Sequence, residues 1–319
     1  MLTILFTTEE GPTKATYFPR HVLQTLEGLG NVIYNPHARP LSESELGTLA
    51  GEADICLTHW GCPSFTPVVL AQAPRLKLIA HAAGSVADLV SAEVYQRGIH
   101  VVSANRVLAK TVAESVLAYI LAGLKQLPQQ VEDVKVRQAW GSSRVLKSLH
   151  GARLGLVGLG TIGRFLLELL EPFQVQVKIY DPYLSPASLS AYPHASLASL
   201  AEVLAWGEVV SLHASLTPET YHLLGAEQLH SLRDGALLVN TARGQIIDQA
   251  ALVKELQSGR IRAVLDVFEK EPLPLDSPLR TLDNVLLFPH SAGVSDRGVE
   301  RSLAVLGEMQ RFLQGEPLQ

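Results

Sequence analysis

Arg243, Glu271 and His290 each follow closely on a short apolar run in the last third of this 319-residue chain. The runs, Ala236–Asn240, Ala263–Val267 and Val285–Phe288, are rich in Val and Leu and read as buried strands. Parallel strands of one sheet share an edge at their carboxyl ends, and open α/β sheets bind ligands along that edge. A guanidinium, a carboxylate and an imidazole would then converge on one crevice. The guanidinium can hold a substrate carboxylate, and an imidazole beside an acid can move a proton. The expected chemistry is proton-coupled work on a small acid. Each residue also has a plainer role open to it: Arg243 as a strand-end or surface-pair residue, Glu271 as solvated surface in Glu269-Lys270-Glu271, and His290 as a satisfied loop histidine. Their joint placement weighs against three separate accidents.

The elements that must position them alternate along almost the whole chain. Thr3–Phe6, Asn31–Tyr34, Asp54–Leu57, Leu76–Ala80 and His100–Val102 read as strands with amphipathic stretches between them. A helix is expected over Thr111 to about Leu127, with Pro128 ending it, and Gln138–Ser143 reads as a loop. A second alternation adds Leu154–Val157, Val175–Tyr180 and Val209–Leu212 to the three runs above. That makes six strands, enough for a dinucleotide-binding sheet. Gly298–Leu313 is a final amphipathic helix.

Gly158-Leu159-Gly160-Thr161-Ile162-Gly163 follows the Leu154–Val157 strand and opens the helical run Arg164–Leu170. Gly158 suits the tight turn, Gly160 a close approach of pyrophosphate, and Gly163 helix–strand packing. The pyrophosphate would rest on the helix amides. Asp181 ends the next strand, where a carboxylate accepts from ribose hydroxyls and repels a 2′-phosphate, so NAD is expected over NADP.

Composition narrows the class. A net charge of -5 with pI about 6.1 gives no basic field for nucleic acid. Hydrophobic residues at 47% and charged residues at 18% describe a globular chain, and its length predicts two domains. No apolar stretch reads as long enough to span a bilayer. Met1–Phe6 reads as a first strand, not a signal peptide, and two cysteines imply no disulfide framework, so the cytoplasm is the expected compartment. Cys56, His59 and Cys62 offer three soft ligands, but Cys56 falls in a strand and Cys62 precedes a proline, so no metal site is expected.

Four segments make the chain resemble the D-isomer-specific 2-hydroxyacid dehydrogenases. They are Gly158–Gly163 with Asp181; His213–Thr220; Asn240-Thr-Ala-Arg-Gly244; and Leu265–Pro274 leading to Pro289-His290-Ser-Ala-Gly293. The resemblance implies an α/β fold of two doubly wound parallel-sheet domains. A Rossmann NAD-binding domain, about 104–290, would be inserted into a flavodoxin-like substrate domain formed by 1–103 and 291–319. It implies NAD-dependent interconversion of a 2-oxo acid and a D-2-hydroxy acid. Arg243 would bind the substrate carboxylate and carbonyl, His290 would be the acid/base, and Glu271 would hold the histidine. Cofactor contacts are expected from Gly158, Gly160, Thr161, Ile162, Gly163, Asp181, His213, Thr220, Thr241, Ala242, Asp266 and His290. Asp266, placed inside a strand, needs a partner, and the resemblance suggests the nicotinamide carboxamide.

Departures from the family pattern concentrate in the first domain. The turn whose amides hold the substrate carboxylate is His81-Ala-Ala-Gly-Ser-Val-Ala-Asp88, with Ala83, Ser85 and Ala87 at altered positions. Gly84 and Ser85 remain as substrate-binding candidates, and His81 beside them could contact substrate or simply pack. The loop 104–110 lacks the usual turn, and Leu108 stands near a place where relatives carry a polar residue. Substrate is therefore less defined than reaction. Glyoxylate or hydroxypyruvate is the leading expectation, since a phosphorylated acid would call for more cations than Arg106 and Lys110. A homodimer is implied, with the 111–127 helix as interface or interdomain element and Trp140 as a residue that could reach a neighbouring subunit. The alternative is a non-catalytic, NAD(H)-responsive binding or sensor protein on the same fold.

Overall fold

The structure, a computed structural model, describes residues 2–141 and 144–318. Ser142 and Ser143, part of the segment read as a loop, and Met1 of the expected first strand lie outside the described residues. The chain forms two compact units: 1–109 with 294–319, and 110–293.

The first unit holds a five-stranded parallel sheet of β1 (Thr3–Phe6), β2 (Asn31–Tyr34), β3 (Ile55–Thr58), β4 (Leu78–His81) and β5 (His100–Ser103). Its order is β2-β1-β3-β4-β5, the flavodoxin-like winding, which reverses direction between β1 and β3. β3 and β4 are buried at every position, and both are apolar except at their last residues, Thr58 and His81. The Gly298–Gln314 helix returns to this unit, burying Val305, Leu306 and Met309 in the same core as Ile4, Phe6 and Leu57.

The second unit holds seven parallel strands: β6 (Arg153–Val157), β7 (Gln176–Tyr180), β8 (Ala195–Leu197), β9 (Val209–Leu212), β10 (Leu237–Asn240), β11 (Arg262–Leu265) and β12 (Val285–Leu287). Their order is β12-β11-β10-β9-β6-β7-β8. The sheet has one strand more than the six expected. β8 is only three residues long and lies at the sheet edge, too short to show an apolar run.

The helix expected over 111–127 begins earlier, at Asn105, and ends at Lys125. The stretch 104–110 is therefore largely helical and not a loop: Val107 and Leu108 donate their amides to Ala104 O. Pro128 does not end this helix. Gln126 breaks it with φ 48°, and Pro128 sits in the first turn of the next helix, Leu127–Lys135, where its missing N–H costs nothing. Contrary to the sequence expectation, the Asn105–Lys125 helix is long and apolar enough to cross a membrane. Its Val116, Ile120 and Leu124 are instead buried, and Gly123 lets it lie close on Leu237 and Val264 of the seven-stranded sheet.

The first unit buries two imidazoles. Burial pushes His59 down to about 3 and His81 down to about 4. The unfolded chain takes up these protons near the ordinary value of 6.5, so unfolding binds protons between about pH 3 and 6.5, with His81 contributing down to about pH 4 and His59 down to about pH 3. The stability these neutral rings confer is complete above that window and declines as pH falls through it. Calorimetric unfolding should show Tm dropping from about pH 7 to about pH 5, through the upper part of that window, with a shallower slope in His81→Gln.

Candidate active site

Parallel pairing of β10, β11 and β12 puts Asn240 opposite Leu265, and Leu265 opposite Leu287. The chain therefore leaves all three strands at one level. Beyond β10, the Asn240 side chain pins the exit loop: its Oδ1 accepts from Ala242 N at 3.0 Å and its Nδ2 donates to Arg243 O at 3.0 Å. This Asx arrangement fixes the backbone from which the partly buried Arg243 projects. Arg243 Nη1 donates to Ala242 O at 2.7 Å.

Beyond β11, Glu271 folds back so that its Oε1 accepts the Phe268 amide at 3.0 Å. Its other oxygen, Oε2, lies 2.7 Å from His290 Nδ1. An ionised Glu271 accepts from Nδ1–H, and Nε2 makes no hydrogen bond to the described residues. The histidine side chain is 52% exposed. The pair borders a cavity of about 530 Å³ with mainly apolar walls, among them Phe268, Leu273, Leu287 and Phe288.

His290 has φ 53°, a left-handed backbone that a non-glycine residue adopts only at a cost of about 1–3 kcal/mol. Asp266 supplies the restraint. Its carboxylate is 1% exposed and accepts the Ser291 amide at 2.8 Å and the Ala292 amide at 2.9 Å. Tyr119, stacked on Phe288, adds its hydroxyl at 3.4 Å. One correction to the sequence reading follows: Asp266 lies one residue past the end of β11, not inside a strand. Among the described residues its partners include the Tyr119 hydroxyl and the backbone amides of the histidine turn.

Gly158 has φ 89°, and a Cβ there would lie 2.8 Å from Ala214 N, so the turn after β6 requires glycine. A Cβ on Gly160 would meet nothing within 4 Å, which leaves open space at the start of the Thr161–Leu170 helix. Asp181 accepts from Leu159 N at 2.9 Å and Tyr183 N at 3.0 Å, tying the glycine loop to the end of β7. These residues line a groove of about 220 Å³ with His213, Ala214 and Thr217. His213 and Thr241 follow the paired residues Leu212 and Asn240 on adjacent strands. Both carry buried polar atoms without partners, His213 Nδ1 and Thr241 Oγ1. Glycine turn, open helix start and orphaned polar atoms together fit a dinucleotide. Burial holds His213 down to about 4, so it is neutral near pH 7 and donates no proton there as an acid. Thr220, expected as a cofactor contact, directs its hydroxyl to Ser215 O at 2.7 Å and accepts from Thr217 N at 2.8 Å, stabilising its own turn.

Residues 117–292 match the family model described as D-isomer specific 2-hydroxyacid dehydrogenase, NAD binding domain. The chain belongs to that family. It is 33% identical over 297 residues to D-3-phosphoglycerate dehydrogenase of Methanocaldococcus jannaschii, covering 92% of this chain and 56% of the relative. The chain thus spans little more than half the length of that protein. It is 35% identical over 254 residues to glyoxylate reductase of Korarchaeum cryptofilum, covering 78% of this chain and 76% of the relative. Among solved structures, the TT0316 protein from Thermus thermophilus superposes with TM-score 0.81 at 30% identity, covering 100% of this chain and 98% of that one.

Within this family member, the structure brings Glu271 and His290 into contact, whereas among the described residues no hydrogen bond joins either to Arg243. What couples their loops is Gly244, to which sequence reasoning assigned no role of its own. A Cβ there would fall 1.9 Å from the Phe268 carbonyl carbon and 2.4 Å from Glu269 N. Glu269 is likewise an anchor and not free surface: Oε1 lies 2.8 Å from His222 Nε2 and accepts Gln249 N at 3.0 Å. The substrate candidates Gly84 and Ser85 belong to the first unit. Leu108 packs on Gly84, with Cδ2 2.5 Å from where a Cβ would stand, and Ser85 Oγ accepts Ala87 N at 3.3 Å.

Two variants check these restraints. Gly244→Ala should force the Arg243 and Glu271 loops apart and cost about 1–3 kcal/mol of stability, read by urea unfolding. Asp266→Asn replaces a two-oxygen acceptor by one that presents an N–H to a backbone amide. It should cost about 2 kcal/mol by the same measurement.

Proposed function

We propose that this protein reduces a small 2-oxo acid to the D-2-hydroxy acid with NADH, and catalyses the reverse. The observation that carries this reading is the 2.7 Å contact between Glu271 Oε2 and His290 Nδ1, which leaves Nε2 without a partner. When bound, the reduced nicotinamide supplies the hydride. As the carbonyl carbon accepts it, negative charge develops on the carbonyl oxygen. His290, protonated and held by Glu271, delivers the balancing proton from Nε2, while Arg243 binds the carboxylate and stabilises the charged oxygen. In the oxidation direction the neutral imidazole takes the hydroxyl proton. Asp266 acts on the reaction by fixing the histidine turn.

The glycine loop, Thr161 and Ile162 hold the pyrophosphate, and Asp181 selects NAD. His213, Thr241 and Ala242 line the cofactor groove, and Gly84 and Ser85 present the carboxylate-binding turn of the first unit. Glyoxylate or hydroxypyruvate is the proposed substrate, working in the cytoplasm as a homodimer. The Glu271–His290 pair would be idle in a binding or sensor protein without turnover, and that alternative is set aside.

Loss of NADH absorbance across a panel of 2-oxo acids tests the reading directly. His290→Ala should lower kcat by about 10²–10⁴-fold, the usual contribution of a positioned acid/base group. Turnover that survived this substitution, or no turnover with any 2-oxo acid, would overturn the assignment. Asp181→Ala should raise the NADPH/NADH ratio of kcat/KM by about tenfold, since both a ribose acceptor and a repulsive charge are removed. An unchanged ratio would refute the role of Asp181.

A further inference from the structure

The first unit contains a buried cation with no counter-charge among the described residues. Arg301, on the Gly298–Gln314 helix, is 1% exposed, and among the described residues neither of its terminal nitrogens, Nη1 nor Nη2, has a hydrogen-bond partner. Its guanidinium carbon lies 4.9 Å from the Tyr17 ring and 5.0 Å from the Trp60 ring. His59, also 1% exposed, stacks into the same cage, 4.5 Å from Tyr17 and 4.8 Å from Trp60, with both ring nitrogens unpartnered. Gly298, one turn before Arg301, admits the Tyr17 ring: a Cβ there would stand 2.5 Å from it.

Ring faces attract a guanidinium, but they accept none of its N–H groups well. A charge buried without hydrogen bonds costs considerably more than that attraction returns. No carboxylate among the described residues pairs with Arg301, and the groups near His59 that carry or can take up positive charge are Arg301 and His81, with Tyr17 the other titratable ring beside it. What the cage lacks is therefore an acceptor, and its net charge calls for a negative one.

The position has meaning within the sheet. His59 and Trp60 directly follow β3, and Thr8, whose buried hydroxyl is also unpartnered, follows β1. β1 and β3 flank the reversal of strand order, where open α/β sheets take their ligands. Trp60 is the cage wall that faces solvent, at 45% exposure, and it is followed by Gly61 at φ 85°.

We infer that Arg301 and His59 form an oxyanion subsite at the switch point of the first unit, covered by Trp60 and taking a carboxylate or a phosphate group. The occupant has two possible sources: a second acidic group on the substrate, or a free inorganic anion. The substrate source rests on the dehydrogenase reading above; the subsite itself does not.

The test is titration of the full-length protein, without cofactor, with inorganic phosphate and separately with malonate. Calorimetry reads the binding, and emission of Trp60 reads the cover in a Trp140→Phe, Trp206→Phe background. Saturable binding with a change in Trp60 emission is expected, together with a rise in wild-type Tm as the anion is added. Arg301→Gln should weaken the binding about tenfold or more and abolish the anion-dependent rise in Tm. Absence of saturable binding to the wild type, or equal affinity in Arg301→Gln, would overturn the subsite and leave Arg301 as a packing residue.

The source is then read from KM with NADH. A selective rise in Arg301→Gln for 2-oxo acids bearing a distal carboxylate or phosphate assigns the substrate. Equal effects on acids with and without that group assign the free anion. If no 2-oxo acid turns over, the dehydrogenase reading fails, while phosphate binding still decides the subsite.

Discussion

Everything at the candidate active site depends on the parallel register of β10, β11 and β12. That register is set by buried strands whose apolar side chains each contribute about 1.5–3 kcal/mol on leaving water. Since β10 and β11 are buried on both faces, a one-residue slip would press each side chain into the opposite packed layer, and close packing specifies the pairing of Asn240 with Leu265 and of Leu265 with Leu287. Because the strands end level, the residues that follow them begin from one edge. The chemistry then needs only short exits: three residues from Asn240 to Arg243, six from Leu265 to Glu271, and three from Leu287 to His290. Short exits keep the side chains where a stiff sheet has put them.

The exits are themselves restrained by polar groups spent on backbone amides. Asn240 closes the first loop, Glu271 accepts the Phe268 amide, and Asp266 takes two amides of the histidine turn. This explains how a left-handed His290 persists. A strained conformation is kept only where its surroundings over-determine it, and two charge-assisted hydrogen bonds immediately after the residue do so. Glu271 serves both functions at once, with one oxygen on backbone and the other on the imidazole.

The sequence made the frame legible because buried parallel strands leave unbroken Val- and Leu-rich runs and because the glycine loop has a fixed relation to the strand before it. β8 escaped notice since three edge residues generate no periodicity. The extent of the Asn105–Lys125 helix was missed where family pattern, not apolar spacing, directed the reading of 104–110. Pro128 is ambiguous in the sequence because proline ends one helix and begins another equally well, and only the left-handed Gln126 separates the cases. Glu271 beside His290 could be anticipated from residue types. The donors on Asp266 could not, since they are main-chain amides and carry no residue signature. Nor could the contact of Gly244 with the Phe268 peptide, for glycine after arginine looks the same whether it serves a turn or a close approach.

Polar atoms left without partners sort the molecule differently from polar atoms that are satisfied. In the second unit two of the orphans, His213 Nδ1 and Thr241 Oγ1, lie at the ends of adjacent strands and include both donor and acceptor capacity, while Gln129 Oε1 and Ser277 Oγ lie elsewhere. That mixture suits an amide- and hydroxyl-bearing cofactor. In the first unit the Arg301 nitrogens can only donate, and the aromatic rings around them offer faces in place of lone pairs. A buried donor-only cation cannot be relieved by protonation or by a tautomer change, as a histidine or carboxylate can. The missing partner that the guanidinium specifies is therefore anionic.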